Sequence, residues 1–106
     1  MPLTRRYEPP HPSGEQSVFG MDFSAVVPAG VALASGTLRI FSNTQPPIAA
    51  DADWTVEQPL YIRGRAMFQG LTGGIPGKDY MLQWSTTDSR NNIWYRTGLL
   101  LCAPTS

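Results

Sequence analysis

The sequence predicts an all-β fold, a single β-sandwich of about seven strands. Three observations carry this. Ten glycines and ten prolines are dispersed without period and separate short β-rich runs. Within those runs apolar and polar residues alternate with period two. No stretch holds a sustained helical period, and no internal repeat is found.

Residues 1–16 read as an extended arm. Pro2, Pro9, Pro10 and Pro12 deny a helix and favour polyproline-like geometry. The arm is either a frayed terminus or a segment that docks on a neighbouring subunit and orders there. In the second case Tyr7 and the Arg5-Arg6 pair are its anchors. Residues 17–106 form the sandwich.

Val18 to Val27 is the first strand, with Phe19, Met21 and Phe23 alternating against Gly20, Asp22 and Ser24. Pro28-Ala29-Gly30 ends it. Leu33 to Ser42 follows, with Leu38 and Ile40 on one face and Arg39 and Phe41 on the other. Asn43 to Ala50 is a loop. Asp53 to Gln58 is a short strand or the loop's return. The loop up to Trp54 is long for so small a domain, as binding loops often are. Trp54 either anchors it on the core or projects from it.

Leu60 to Gln69 reads as one strand, with Leu60, Ile62, Ala66 and Phe68 on one face and Tyr61, Arg63, Arg65 and Met67 on the other. Gly64 within it marks a bulge or a close backbone approach. Leu71 to Lys78 is a turn region. Asp79 to Thr87 is a strand with Tyr80, Leu82, Trp84 and Thr86 on one side. Tyr80 is either a tyrosine corner, its hydroxyl bonded back near Leu71 to Gly74, or an ordinary buried tyrosine. Asp88 to Asn92 makes a hairpin connection, because Asp and Asn supply turn hydrogen bonds and tolerate left-handed backbone. Ile93 to Cys102 returns. Its inner set is expected to be Ile93, Tyr95, Leu99 and Leu101, and its outer set Trp94, Arg96, Gly98, Leu100 and Cys102.

Composition bounds the function. The chain has 106 residues, enough for one core. Eight Lys+Arg balance eight Asp+Glu, so no basic field favours a nucleic-acid backbone. No apolar run approaches the roughly 20 residues of a membrane span, and the start lacks the apolar stretch of a secretory signal. One cysteine, Cys102, forms no internal disulfide, and with the single histidine, His11, it falls short of a zinc site. Asp51 and Asp53 lack the Gly and distal Glu of a calcium loop. A Ser-His-Asp or Cys-His site would draw its histidine from the Pro-rich arm, and no nucleophile elbow is present. Cys102, between Leu101 and Ala103, reads as a packing residue. The Gly73 to Lys78 run lacks phosphate-loop spacing. No enzyme activity, cofactor or metal is expected.

Seven of the eight basic residues are Arg, with Lys78 the only Lys. Arg suits protein interfaces through bidentate pairing and stacking on rings. Arg39, Arg63, Arg65 and Arg96 fall on strand faces assigned outward, together with Phe41, Tyr61 and Trp94. These seven and Tyr7 form the candidate partner-binding set. The competing account has the Arg–aromatic pairs stacking within one sheet and covering it.

The stretch Gly77 to Thr97, GKDYMLQWSTTDSRNNIWYRT, resembles the C-terminal hairpin of small Ig-like virion structural proteins of tailed bacteriophages, of the fibre–tail and head–tail adaptor type. Met21-Asp22-Phe23-Ser24, Ser35-Gly36-Thr37-Leu38 and Leu71-Thr72-Gly73-Gly74 extend the resemblance over residues 18–102. Asn91-Asn92 stands where Gly-Asn is expected. The resemblance implies an Ig-like sandwich and a non-enzymatic role in the virion. Several copies in a ring at the neck or tail would link the portal or adaptor ring to tail fibres, after synthesis in the bacterial host cytoplasm. Its expected partners are other virion proteins, with no nucleic acid and no membrane. A capsid decoration or cement protein, contacting capsid protein in a lattice, is the alternative. A third reading is a small carbohydrate-binding module using Trp54, Trp94 and Tyr61 as aromatic platforms.

Overall fold

In a computed structural model, residues 3–6, 11–12 and 17–103 are described. Among the described residues nine strands run in chain order: β1 (Leu3–Arg6), β2 (His11–Pro12), β3 (Ser17–Asp22), β4 (Leu33–Ser42), β5 (Ile48–Ala49), β6 (Trp54–Arg63), β7 (Ala66–Gly73), β8 (Asp79–Asp88) and β9 (Ile93–Ala103). A single turn of 3₁₀-helix at Asp51–Asp53 precedes β6. Beyond the arm, seven strands form two antiparallel sheets. The larger has the order β9-β8-β4-β5 and the smaller β3-β7-β6. Their inner faces enclose one core, so the fold is an all-β sandwich.

The arm extends the larger sheet. β1 pairs in parallel with Arg96 to Leu99, and β2 with Cys102 and Ala103. β1 and β2 thus lie along β9 of their own chain and cover those parts of its edge. Tyr7 falls outside the described residues.

Alternation builds the core on the larger sheet. Ile40, Leu82 and Gly98 form one cross-strand row; Leu38, Trp84 and Arg96 form the next; Ser42, Tyr80 and Leu100 a third. Tyr80, Leu82 and Trp84 have no exposed surface. From the smaller sheet come Phe19, Met21, Met67 and Leu71, all buried. Gly36 permits the two sheets to approach, since a Cβ there would lie 2.1 Å from the Met67 sulfur.

Several sequence expectations are corrected. The first strand stops at Asp22 rather than Val27. The Asp22 carboxylate accepts the Ser24 N–H at 2.8 Å, and the Phe23 carbonyl accepts the N–H groups of Val26 and Val27. These bonds turn the chain, which still buries Phe23 and Val27. Leu60 to Gln69 is not one strand. Gly64, at φ +62°, reverses the chain, and Arg63 pairs with Ala66 across the turn. The alternation restarts after it, so Met67 faces the core and Phe68 faces out beside Tyr61. β6 begins at Trp54, and β7 continues to Gly73 inside the expected turn region.

Strand β9 is inverted relative to expectation. Directly paired residues share a face. Leu82 opposes Gly98 and Tyr80 opposes Leu100, so the even-numbered residues face inward. Leu100 and Cys102 are buried, whereas Ile93 is 61% and Tyr95 49% exposed.

Candidate functional site

The residues expected to form one partner-binding surface separate into three groups. Arg65, Trp94 and Arg96 are tied into the molecule. The Arg65 Nη1 donates to the main-chain carbonyls of Val27 at 2.8 Å and Ser24 at 3.3 Å, pinning the β3–β4 connection. Trp94 packs against the core, and its Nε1 donates to the Asp88 carboxylate at 2.9 Å. Arg96 crosses between the sheets, its Nη1 donating to the Asp22 carbonyl. All three are half-buried and bonded within the chain, where the sequence places them outward.

Asp88 organises the β8–β9 connection. Its Oδ1 accepts the main-chain N–H groups of Arg90 at 2.8 Å and Asn92 at 3.0 Å. Its Oδ2 takes the Trp94 indole. The side chain has no exposed surface. The Trp94 bond, with the Asn92 and Arg90 N–H groups and the Arg90 charge, holds the carboxyl below its ordinary value despite burial. Asn91 sits at φ +66° between them, a conformation Asn tolerates.

A second network closes the opposite end. The Tyr80 hydroxyl accepts the Ile75 N–H at 2.9 Å and donates to Asp53 Oδ2 at 2.8 Å. It reaches back along the corner to Ile75, one residue beyond the stretch anticipated. Lys78 donates to the same Asp53 oxygen at 2.9 Å. The lysine bond, then the tyrosine bond, lowers the Asp53 pKa, while burial chiefly raises that of Tyr80. Trp54 packs edge-on against Tyr80 and Phe19, with centroids at 5.1 and 6.0 Å. It therefore anchors the long loop on the core. Cys102 is buried, and its thiol is pushed up to about 11, mainly by burial. A thiol so placed is a poor nucleophile at neutral pH.

The second group, Arg39 and Phe41, lies on the outer face of the larger sheet. The Arg39 guanidinium sits 5.4 Å from the Phe41 ring centroid and pairs with Asp51 at 3.4 Å. Registered rows extend the patch. Phe41, Met81 and Leu99 form one row, Arg39, Gln83 and Thr97 the next, and Thr37, Ser85 and Tyr95 the third. Ile93 continues it beside Thr87. Exposed Tyr95 and Ile93 thus share a face with the Arg39–Phe41 pair. The sequence reading missed them because it placed them inside.

The third group, Tyr61 and Arg63, lies on the outer face of the smaller sheet, across the sandwich from the second. Tyr61 is 41% exposed and stacks on Phe68, with centroids 5.3 Å apart and planes at 24°. With Val18, Asp22 and Ala66 these rings border an open trough of about 510 Å³.

Among the described residues, no group of three or more His, Cys, Asp or Glu side chains is placed to hold a metal ion. No protein-family model matches the chain, and no curated protein sequence matches it.

Proposed function

We propose that this chain is a non-enzymatic structural protein of a tailed-phage particle, an adaptor at the neck or tail that works by protein–protein contact. The resemblance of the Gly77 to Thr97 hairpin suggests the setting. The observation that supports the contact mode is the outer face of the larger sheet. There Phe41, Met81 and Leu99 form an apolar row across three strands, next to Arg39, and exposed Tyr95 and Ile93 follow two and three rows further along β9. Contiguous apolar surface rimmed by polar groups is characteristic of interaction sites, and Arg and Tyr are enriched at binding hot spots.

The mechanism is geometric. A two-sheet sandwich closed at one end by the buried Asp88 network and at the other by the half-buried Asp53 network is a stiff wedge. Its large face is a preorganised docking plate, since the Arg39 guanidinium already rests over Phe41 and loses little freedom on binding. Modest contacts repeated around a ring add up through multivalency.

The test is incorporation of variants into particles. Arg39→Ala and Tyr95→Ala sit on the exposed face and leave the core untouched. Each is expected to reduce incorporation while leaving the melting temperature of the isolated protein nearly unchanged. Normal incorporation of the double variant contradicts this docking face.

A further inference from the structure

The edges of the two sheets are finished differently. β1 and β2 lie along β9. On β3, Arg96 bonds the Asp22 carbonyl. β6 carries Pro59, which has no N–H to offer, and its register slips on both sides of Gln58. β4 is left open. β5 covers only Phe41 and Ser42. The loop closes Ile40, whose N–H donates to Asp51 Oδ1 at 3.0 Å and whose carbonyl accepts the Ala50 N–H at 2.9 Å. Among the described residues, no strand lies beside Leu33 to Arg39 on that side.

The ladder fixes which groups are open. Ile40 turns its N–H and C=O away from β8. The Ser35 carbonyl turns toward β8, where it accepts the Thr86 hydroxyl at 2.6 Å. Main-chain groups alternate in direction along a strand, so Gly36 and Leu38 turn theirs outward. Residues 34–38 hold no proline and no charge, the devices that blunt an edge. Leu38 and Leu60, both half-buried, stand at this side of the core, with Leu60 Cδ2 3.4 Å from where a Gly36 Cβ would be.

We propose that this edge pairs with the same edge of a second copy of the chain, antiparallel, with the two Gly36 residues facing across a two-fold axis. Open strand groups are matched by another extended main chain. The stretch Leu33 to Arg39 is centred on Gly36, so this register overlaps it fully in both copies. Each strand then begins, at Leu33, beside the other copy's Arg39, just short of the Ile40 that Ala50 and Asp51 close. No side chain stands at the axis. Arg39 is already paired with its own Asp51, and it lies about 20 Å from its counterpart, beyond a Debye length of about 8 Å. A net charge of zero adds no repulsion. The added strand also covers Leu38 and Leu60. Both copies use up their open stretch, so the assembly closes at two. The axis is perpendicular to the sheet, and both Arg39–Phe41 faces point the same way. The pairing stands independently of the phage reading.

The test is sedimentation velocity of the full chain from about 10 μM to about 1 mM, the range suited to a small interface. The expected result is a reversible monomer–dimer equilibrium. Amide hydrogen exchange at Gly36 and Leu38 should slow as concentration rises. Ser35 and Thr37 are exposed, and the double variant Ser35→Lys/Thr37→Lys gathers four ammonium groups at the axis. It should raise the Kd about tenfold or more while the melting temperature stays nearly unchanged. A chain that stays monomeric throughout overturns the proposal and leaves the edge to the strand of a different protein. A dimer whose Gly36 and Leu38 amides do not slow, or that the double variant leaves intact, overturns it by placing the contact elsewhere. Growth beyond two copies overturns it by showing that the pairing is not closed.

Discussion

The Trp94 indole N–H donates to Asp88 Oδ2 at 2.9 Å, so the β8–β9 hairpin is locked from within the sandwich. The two oxygens of Asp88 face donors on different sides, main chain on one and indole on the other. Asp88→Asn keeps one oxygen and turns an N–H group against a donor whichever way the amide points. A buried polar group left facing its like is costly. Asp88→Asn is therefore expected to lower the melting temperature clearly. Trp94→Phe added to it should cost less than the two single changes summed. Thermal unfolding of the four-member cycle measures this coupling.

Acid should unfold the protein through its carboxylates. Asp22, Asp53 and Asp88 all have pKa values below the ordinary 3.8. A carboxyl whose folded pKa is depressed contributes stability that is fully present above its unfolded pKa. That contribution is lost as pH falls through the folded value. Stability is thus expected to be flat with respect to these groups above about pH 5 and to fall steeply below pH 4. Urea midpoints across that range check it. Asp88→Asn should be less stable at neutral pH and show a shallower decline.

Tyr80→Phe removes one hydroxyl, strands the Ile75 N–H and leaves Asp53 Oδ2 with the Lys78 bond alone. The expected loss is about 1–3 kcal/mol by urea unfolding. A loss below about 0.5 kcal/mol would show that the hydroxyl is dispensable at this corner.

Cys102 should be chemically silent in the folded state. It is buried and its thiol is raised to about 11. A disulfide reagent at pH 8 is expected to label it only after denaturation. Rapid labelling of the native protein would show that β9 opens readily near its end.

Deleting residues 1–16 removes β1 and β2 and uncovers the edge of β9. Among the described residues, the buried core is built from positions 19–102. The truncated chain is expected to keep its β circular dichroism spectrum and to self-associate more than the full chain by size-exclusion chromatography. Loss of the β spectrum would move the domain boundary into the arm.

Strand identity was legible where alternation was uninterrupted. Leu33 to Ser42 is read correctly in extent and in both faces, and Tyr80, Leu82 and Trp84 are placed inside. Face assignment failed at β9, whose two faces carry nearly equal apolar content. Ile93, Tyr95, Leu99 and Leu101 compete with Trp94, Leu100 and Cys102, and only pairing with β8 decides between them. The hairpin at Gly64 was hidden because Arg63 and Arg65 fit a continuing alternation. That error placed Phe68 inside and concealed the trough. The aromatic wall needs two strands brought together, which spacing along one strand does not reveal. Arg39–Phe41 was legible because both lie two apart on one correctly assigned strand.

The copy number of this chain in purified tailed-phage particles tests the proposed adaptor role most directly. Quantitative mass spectrometry against the portal subunit gives the ratio. The expected result is a number equal to the portal count or a small multiple of it. A number comparable with the major capsid subunit would instead make the chain a decoration protein, and its absence from particles would contradict a virion role altogether.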